Sequence, residues 1–278
     1  MKLYTIDTGF FKLDGGAMFG VVPKSIWNTI NPSDEKNLCA WAMRCLLVEE
    51  GNRLILIDCG LGNKQSAKFF SHYEPYGDKD LLSSIKGHGF SAGDITDVFL
   101  THLHFDHCGG AIAYDAENKL VPLFPNATYY SNEKHWETAT HPNQREKASF
   151  LKENILPLLE GGRLKMINEE DELIPGFKIM FVYGHTEAMM LPIISYNNYT
   201  IAYMADLIPS AGHIPVPFVM SYDLRPLITL DEKEKFLNMA VENNYVLFFE
   251  HDPLIEACTL IKTEKGVRMG ERVIINEL

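Results

Sequence analysis

The sequence has 278 residues, 46% of them hydrophobic, and a formal net charge of -12 at pH 7. This length and composition suit one large globular domain, and no Pro/Gly/Ser-rich linker divides the chain, so we expect residues 1–278 to form a single domain. An acidic surface without a local basic patch repels nucleic acids and anionic membranes, so neither is expected as a partner.

The amino-terminal residues lack the pattern of a secretory signal, because Asp7 and Asp14 interrupt the stretch that would have to be apolar. The five cysteines are odd in number and contain no CxxC pair, which does not indicate a disulfide framework. No apolar run approaches the roughly 20 residues that span a bilayer. These features predict a soluble, cytoplasmic protein.

Short apolar or alternating runs predict strands over residues 43–48, 54–58, 98–101, 128–131, 178–182, 191–195, 199–204, 246–249 and 267–275. Patterns of helical period between them predict helices over residues 80–87, 133–138, 146–159 and 230–243. Pro157 is expected to kink or end the third helix. Thr229 and Glu232 have the spacing of a capping box at the start of the fourth.

A cluster of polar residues follows the predicted strand at 98–101. The sequence THLHFDHCGG places His102, His104, Asp106 and His107 within six positions. If the strand continues to residue 103, His102 and His104 emerge on one face, because side chains two apart share a face. Imidazole and carboxylate groups crowded in this way suit Zn²⁺ or another borderline divalent ion better than Ca²⁺.

The Gly109-Gly110 pair is expected to let the backbone turn sharply and begin a helix, which would direct Asp106 and His107 into the same pocket. Three further candidate ligands each follow a predicted strand: His185 in FVYGHTE, Asp206 in YMADLIP and His251 in LFFEHD. Taken alone, each of the three is more often a structural residue. Together with the first cluster they provide enough ligands for two metal ions.

The motif THLHFDHCGG resembles the HxHxDH signature of the metallo-β-lactamase superfamily, and GHT at 184–186, Asp206 and His251 match the remaining ligand motifs in order and rough spacing. LIDCG at 56–60 is similar to the LIDTG-type turn of the family. The resemblance implies an α/β fold, a four-layer αββα sandwich of two mixed sheets. It implies that the first metal ion is bound by His102, His104 and His185, the second by Asp106, His107 and His251, and both by the bridging Asp206.

The resemblance also places Asp58 beneath the ligand loops, where it would orient a ligand; the alternative is a turn aspartate that bonds to its own backbone. Cys108 is expected to be a packed side chain rather than a ligand. Two divalent ions, Zn²⁺ or alternatively Mn, Fe, Co or Ni, would generate hydroxide near neutral pH and polarise the oxygen of the group it attacks. The predicted activity is hydrolysis, with Asp106 and Asp206 as the catalytic carboxylates.

Residues 11–27, FKLDGGAMFGVVPKSIW, resemble the amino-terminal region of a subgroup that contains N-acyl-homoserine lactonases and methyl parathion hydrolase-like enzymes. Phe19, Val22 and Trp27 are expected to form an apolar wall over the site; the alternative is that these aromatic residues pack in the core. An apolar wall suits a small neutral acylated lactone or apolar ester, and a lactonase is therefore the favoured activity.

Some lactonases of the family carry a tyrosine three residues after the bridging aspartate, where its hydroxyl assists the developing oxyanion. This chain has Pro209 at that position. His213 and Tyr222, in the loop that follows, are the candidates to replace it. Loops that follow a metal ligand commonly contribute to a pocket, although a connecting role is the alternative.

Rival functions stay open at this stage. A phosphotriesterase, an aryl esterase or a thioesterase of the same fold is the first alternative, although no Lys/Arg cluster near the ligand motifs suggests glutathione recognition. A metal-stabilised, non-catalytic binding protein is the alternative from another class, and it predicts closed coordination spheres. Exposed apolar residues of the amino-terminal segment could also form a homodimer interface.

Overall fold

The computed structural model of the chain describes residues 1–167 and 171–278. The chain forms two compact units, which we describe separately. The amino-terminal unit comprises Met1–Gly9, Met43–His72 and Tyr76–Glu169, and the carboxy-terminal unit comprises Phe10–Ala42, Tyr73–Pro75 and Glu170–Leu278. The interpretation of residues 1–278 as a single domain stays a prediction.

In the described residues the strands are Lys2–Asp14 (β1), Leu38–Glu50 (β2), Arg53–Ile57 (β3), Asp97–Phe99 (β4), Ile112–Tyr114 (β5), Leu120–Pro122 (β6), Thr128–Ser131 (β7), Leu164–Met166 (β8), Glu172–Ile174 (β9), Phe177–Val182 (β10), Met189–Tyr196 (β11), Tyr199–Tyr203 (β12), Tyr245–Phe248 (β13), Ala257–Thr263 (β14) and Gly266–Val273 (β15).

The α-helices are Gly15–Phe19 (α1), Lys24–Trp27 (α2), Ala67–Tyr73 (α3), Leu81–Gly87 (α4), Phe105–Cys108 (α5), Glu133–Thr140 (α6), Lys152–Glu160 (α7) and Pro226–Glu242 (α8). Short 3-10 turns lie at Gly109–Ala111, Ala211–His213 and Ile275–Glu277. None of the helices in the described part of the chain is long and apolar enough to cross a membrane.

The first sheet is mixed and has the strand order β1-β2-β3-β4-β7-β8. β2 and β3 are antiparallel, whereas β3, β4, β7 and β8 run parallel to one another. Parallel strands bring their carboxyl ends to the same edge of a sheet. Asp58, which follows β3, and the polar cluster that follows β4 are therefore brought together at this edge.

The second sheet has the order β15-β14-β13-β12-β11-β10-β9, in which β12 and β13 are parallel and the other assigned pairs are antiparallel. β10 also points in the direction of β12, because each is antiparallel to β11. The three strands thus end at one edge, where His185, Asp206 and His251 follow them. The two mixed sheets and the accompanying helices confirm the α/β class that the sequence predicts.

Each predicted strand has a counterpart, but six strands of the described residues were not predicted: β1, β5, β6, β8, β9 and β14. β4 ends at Phe99, so the extension of this strand to Leu103 that would place His102 and His104 on one face is wrong. The third predicted helix begins at Lys152 rather than Glu146, with Pro157 inside it. The side chain of Asn143 accepts hydrogen bonds from the backbone N–H groups of Arg145 (2.8 Å) and Glu146 (3.1 Å), which favours a turn there instead of a helix.

The predicted capping box at Thr229 and Glu232 is also wrong. The helix begins at Pro226, four residues before the predicted start at residue 230, and the fixed φ of proline suits the first helical position. Glu232 instead accepts hydrogen bonds from the backbone N–H groups of Tyr183 (2.7 Å) and Gly184 (3.0 Å). The side chain that was expected to cap its own helix therefore holds the turn that precedes His185.

Candidate metal centre

The amino-terminal unit presents four candidate ligands in one loop and the single helical turn of α5. His102 and His104 precede α5, and Asp106 and His107 lie on it; all four side chains are buried. The ring centroid of His102 lies 4.6 Å from that of His104 and 3.9 Å from that of His107. Candidate ligand atoms of His102 and His104 lie within 4.8 Å of one another, as do those of Asp106 and His107.

A short 3-10 helix begins at Gly109, but the α-helical turn that carries Asp106 and His107 lies before the glycine pair rather than after it. A Cβ atom on Gly109 would lie 2.1 Å from the carbonyl oxygen of Leu61, and one on Gly110 would lie 2.1 Å from that of Cys59. The absence of side chains therefore permits the backbone after α5 to pack directly against the segment that follows Asp58.

Asp58 orients two of the imidazoles. Its Oδ1 accepts a hydrogen bond from Thr101 N at 2.8 Å, and its Oδ2 accepts from the Thr101 hydroxyl at 2.6 Å and from His107 Nδ1 at 3.2 Å. Because the hydroxyl donates to Asp58, its oxygen is left to accept from His102 Nδ1, which lies 3.0 Å away. Both imidazoles thus carry the proton on Nδ1 and present the lone pair of Nε2.

The backbone between His102 and His104 is held by a third histidine. Leu103 N donates to Nε2 of His135 at 2.8 Å, and His135 is itself buried on α6. Glu146 places Oε2 3.9 Å from His104 Nε2. Sequence reasoning identified neither His135 nor Glu146, and the contact between His135 and Leu103 joins residues 32 positions apart.

The carboxy-terminal unit presents one carboxylate between two imidazoles. Asp206 Oδ2 lies 3.1 Å from His185 Nε2, and Asp206 Oδ1 lies 3.2 Å from His251 Nε2. His185 Nδ1 donates to Asp223 Oδ1 at 2.8 Å, and His251 Nδ1 donates to the carbonyl of Ala42 at 2.8 Å. In a neutral imidazole with Nδ1 protonated, Nε2 carries a lone pair, so lone pairs face both oxygens of Asp206.

Such contacts between lone pairs are repulsive unless a cation or a second proton on each imidazole lies between them. Buried imidazole nitrogens and carboxylate oxygens, with the histidine orientation fixed by second hydrogen bonds, are the donor set that borderline divalent metal ions prefer. The residues in each unit therefore fit metal ions. This fit is independent of Cys108, whose buried thiol donates to the Leu103 carbonyl at 3.3 Å and has its pKa raised by burial to about 12.

The turn that carries His185 is fixed by the start of α8. In addition to the two bonds to Glu232, the guanidinium of Arg225 donates to the carbonyl of Tyr183 and pairs with Glu187. A Cβ on Gly184 would lie 2.3 Å from the Thr229 hydroxyl, so glycine is required before the histidine.

The aromatic residues predicted to line a substrate pocket lie in an apolar cluster of the carboxy-terminal unit. Phe19 stacks on Trp27 with ring centroids 5.6 Å apart and on His213 with centroids 4.4 Å apart, and all three are buried. Val22 is also buried, whereas Tyr222 is 40% exposed. Their assignment to a pocket wall stays a prediction.

Both ring nitrogens of His213 are engaged within this cluster. Nδ1 lies 2.7 Å from the hydroxyl of Ser210, and Nε2 lies 2.9 Å from the carbonyl of Met18. Burial lowers the pKa of His213 to about 3. The imidazole is therefore neutral at physiological pH, with Nε2 donating to the carbonyl and Nδ1 accepting from the hydroxyl.

Comparison with known proteins places this geometry in a wider context. The sequence profile of the metallo-beta-lactamase superfamily matches residues 44–251. Curated relatives include an N-acyl homoserine lactonase of Bacillus cereus, 24% identical over 289 residues, and one of Bacillus thuringiensis, 24% identical over 281 residues, each aligned over 96% of both chains.

Solved structures show the same fold. A probable metal-dependent hydrolase from Staphylococcus aureus superposes with a TM-score of 0.88 at 24% identity and covers 98% of both chains. AidC, a dizinc quorum-quenching lactonase in complex with a product N-hexnoyl-L-homoserine, superposes with a TM-score of 0.79 at 24% identity and covers 98% of this chain and 94% of its own.

Proposed function

The chain belongs to the metallo-beta-lactamase superfamily of hydrolases, and we propose that it is a dinuclear metal-dependent lactonase that acts on N-acyl-homoserine lactones or similar apolar esters. The observation that supports metal-dependent chemistry is the set of four imidazoles whose Nδ1 atoms are all engaged as donors, which leaves the lone pair of each Nε2 available to a metal ion. Support for a lactone comes from the curated relatives, which are lactonases that align over nearly the whole chain.

We assign the ligands as the sequence motifs indicate: His102, His104 and His185 for one ion, Asp106, His107 and His251 for the other, and Asp206 for both. The favoured metal is Zn²⁺, with Mn, Fe, Co and Ni as alternatives. When bound, two divalent ions supply a water activated near neutral pH and a Lewis acid for the carbonyl oxygen.

We propose separate roles for four aspartate side chains of the candidate centre. Asp206 is suited to serve two sites at once, because its two oxygens face two different imidazoles. Asp106, which is buried beside His107 with Oδ2 3.9 Å from Nε2, is proposed to accept the proton of the attacking water at a carboxylate oxygen. Asp58 and Asp223 keep the histidines in the tautomer that ligation requires.

Tyr222 is the better candidate for the hydroxyl that assists the oxyanion. His213 would have to give up the Met18 carbonyl to donate elsewhere, since its Nε2 proton is already engaged. Tyr222 is partly exposed and directly precedes Asp223, which holds His185. We therefore expect Tyr222→Phe to lower kcat more than it changes KM, because the hydroxyl acts on charge that develops in the transition state.

The test is hydrolysis of a series of N-acyl-homoserine lactones by the metal-loaded protein. Each methylene buried in an apolar pocket contributes roughly 0.8 kcal/mol at most, so kcat/KM should rise up to about fourfold per carbon until the pocket is filled. An aryl phosphotriester, an aryl ester and a thioester are the comparison substrates. Turnover of these compounds without turnover of any lactone would contradict the proposal, and inactivity on all of them would favour a metal-stabilised binding protein.

Two further aspects of the proposal concern the cell and the assembly. We propose a cytoplasmic location and a role in removing quorum-sensing lactones, and a homodimer formed through exposed apolar residues such as Val21, which is 94% exposed. Light scattering of the purified protein tests the dimer, for which the mass of one chain is 31.5 kDa.

A further inference from the structure

The carboxy-terminal unit contains an apolar groove that includes none of the seven proposed metal ligands. Its volume is about 460 Å³, and Ile30, Ile214, Leu254 and Met269 contribute to its walls. Ile30 is 44% exposed and Leu254 is 77% exposed, so a substantial apolar surface faces solvent here. A groove of this size is within the range of small-molecule sites.

Two arginines on β15 line the same groove. Arg268 donates to the backbone carbonyl of its neighbour Val267 at 2.7 Å, and neither Arg268 nor Arg272 pairs with an acidic side chain among the residues that the structure describes. β15 is the edge strand of its sheet. The register of its pairing with β14 shifts opposite Cys258–Leu260, and such a shift interrupts the regular alternation of side chains between the two faces of the strand.

The acidic residue that lines the groove, Asp252, directs its carboxylate oxygens to backbone N–H groups. Asp252 Oδ2 accepts a hydrogen bond from Ala211 N at 2.9 Å, and Oδ1 accepts from Leu254 N at 2.9 Å and Ile255 N at 2.7 Å. Its carboxylate is thus committed to backbone N–H groups. In a chain with a net charge of -12, the two arginines outnumber the one carboxylate of the groove and give it an excess of positive charge beside apolar surface.

We propose that this groove binds a medium-chain aliphatic carboxylate, whose head group pairs with Arg268 and Arg272 and whose tail covers Ile30 and Leu254. A guanidinium fork matches a carboxylate in geometry as well as charge. A small polyanion would leave the apolar walls exposed to water, whereas a neutral lipid would leave the arginines without a counter-charge. A ligand with one carboxylate and one unbranched tail satisfies both parts of the groove.

The experiment is a titration of the metal-loaded, full-length protein with decanoate, followed by the methyl NMR signal of Met269. Met269→Leu assigns the signal. We expect a saturable shift that Arg268→Gln/Arg272→Gln weakens by about tenfold or more, which corresponds to the loss of a charge-assisted contact. Lys262→Gln is the matched control, because it removes one positive charge from an exposed position on the neighbouring strand β14, and it should leave the affinity within about twofold.

Decanamide is the matched ligand without charge, and we expect it to bind about tenfold more weakly than decanoate. The proposal is overturned if decanoate up to about 1 mM does not shift the Met269 signal. It is equally overturned if the double arginine variant binds decanoate as the unaltered protein does, or if decanamide and decanoate bind equally. Because the readout is at Met269 rather than in hydrolysis, these outcomes are separate from the success or failure of the proposed lactonase activity.

Discussion

The two sets of candidate metal ligands, one in each unit, are built in opposite ways. In the amino-terminal unit one short segment supplies four candidate ligands, and one carboxylate, Asp58, orients His107 directly and His102 through Thr101. In the carboxy-terminal unit three separate strands each supply one ligand, and His185 and His251 have separate anchors. The orientation of His102 and His107 therefore depends on one buried side chain, whereas the orientation of His185 and His251 depends on two separate anchors.

The largest effect is expected at Asp206, the only residue proposed to serve both ions. Asp206→Ala should lower kcat/KM by at least about 100-fold, because the loss affects water activation and carbonyl polarisation together. Circular dichroism should show the fold largely retained. Asp231→Ala is the control, since Asp231 is an exposed acid that pairs with Lys235 on α8. Near-normal turnover of Asp206→Ala would contradict the proposal that Asp206 belongs to the metal centre.

The comparison between the two units can be tested through Asp58 and Asp223. Changing either aspartate to Asn should lower metal affinity by about 10- to 100-fold, as expected for partners that orient metal-binding histidines. Asp58→Asn should be the more severe, because it affects two imidazoles and Asp223→Asn affects one. Metal affinity is measured by competition with a chelator dye. If Asp223→Asn lost as much metal affinity as Asp58→Asn or more, metal binding would not depend mainly on Asp58.

A smaller effect is expected at His135, which acts through the backbone of Leu103. His135→Leu removes the acceptor for Leu103 N, and a buried N–H without an acceptor costs about 1–3 kcal/mol. His135→Gln can offer its amide oxygen to the same N–H group. We therefore expect the leucine variant to lose metal affinity and the glutamine variant to recover most of it; equal losses in both would indicate a packing role only.

The smallest effect concerns pH and a buried lysine of the carboxy-terminal unit. Lys233 Nζ donates to the carbonyls of Pro215 (3.1 Å), Val216 (3.3 Å) and Phe218 (2.7 Å), and burial lowers its pKa to about 7. The unfolded chain, with a pKa near 10.5, binds more protons above pH 7, so the contribution of this group to stability rises as the pH increases through that window.

Denaturant unfolding of the unaltered protein and of Lys233→Met at several pH values measures this contribution. The difference in the free energy of unfolding should change in favour of the unaltered protein between pH 7 and pH 10, because in this range the unfolded chain binds more protons at Lys233 than the folded chain does. Lys235→Met, which removes an exposed lysine of the same helix, should show no such trend. A pH-independent difference for Lys233→Met would mean that the amine stays charged in the folded state throughout this range.

The parts of the candidate site that were predicted from the sequence are those that depend on local sequence patterns. The dense motif from His102 to His107, the apolar strands before each ligand and the glycine before His185 all depend on residues a few positions apart. The supports were missed because they depend on contacts made only in the folded chain. Asp223 lies 38 positions from His185, and His251 is anchored by a carbonyl 209 positions away, which carries no signal in residue type.

The same distinction explains one of the two errors in the helices, the predicted capping box, whereas the other has a local cause. The side chain of Glu232 has the right spacing for a local cap, but it is used by the backbone of Tyr183 and Gly184, 49 and 48 positions away. The pattern at 146–159 has helical periodicity, but Asn143 stabilises a turn at its start. Periodicity indicates which face a segment buries, but it does not show the side-chain hydrogen bonds, local at Asn143 and long-range at Glu232, that decide where the segment begins.

The central claim, that both ligand sets act together on two metal ions, is tested most directly by adding Zn²⁺ to metal-free protein while lactone hydrolysis and bound metal are both measured. Seven ligands exceed the four of a single tetrahedral site. We expect activity to rise until close to two ions are bound per chain and then to level off. Full activity with one ion per chain, or binding that stops at one ion in excess Zn²⁺, would contradict the dinuclear account.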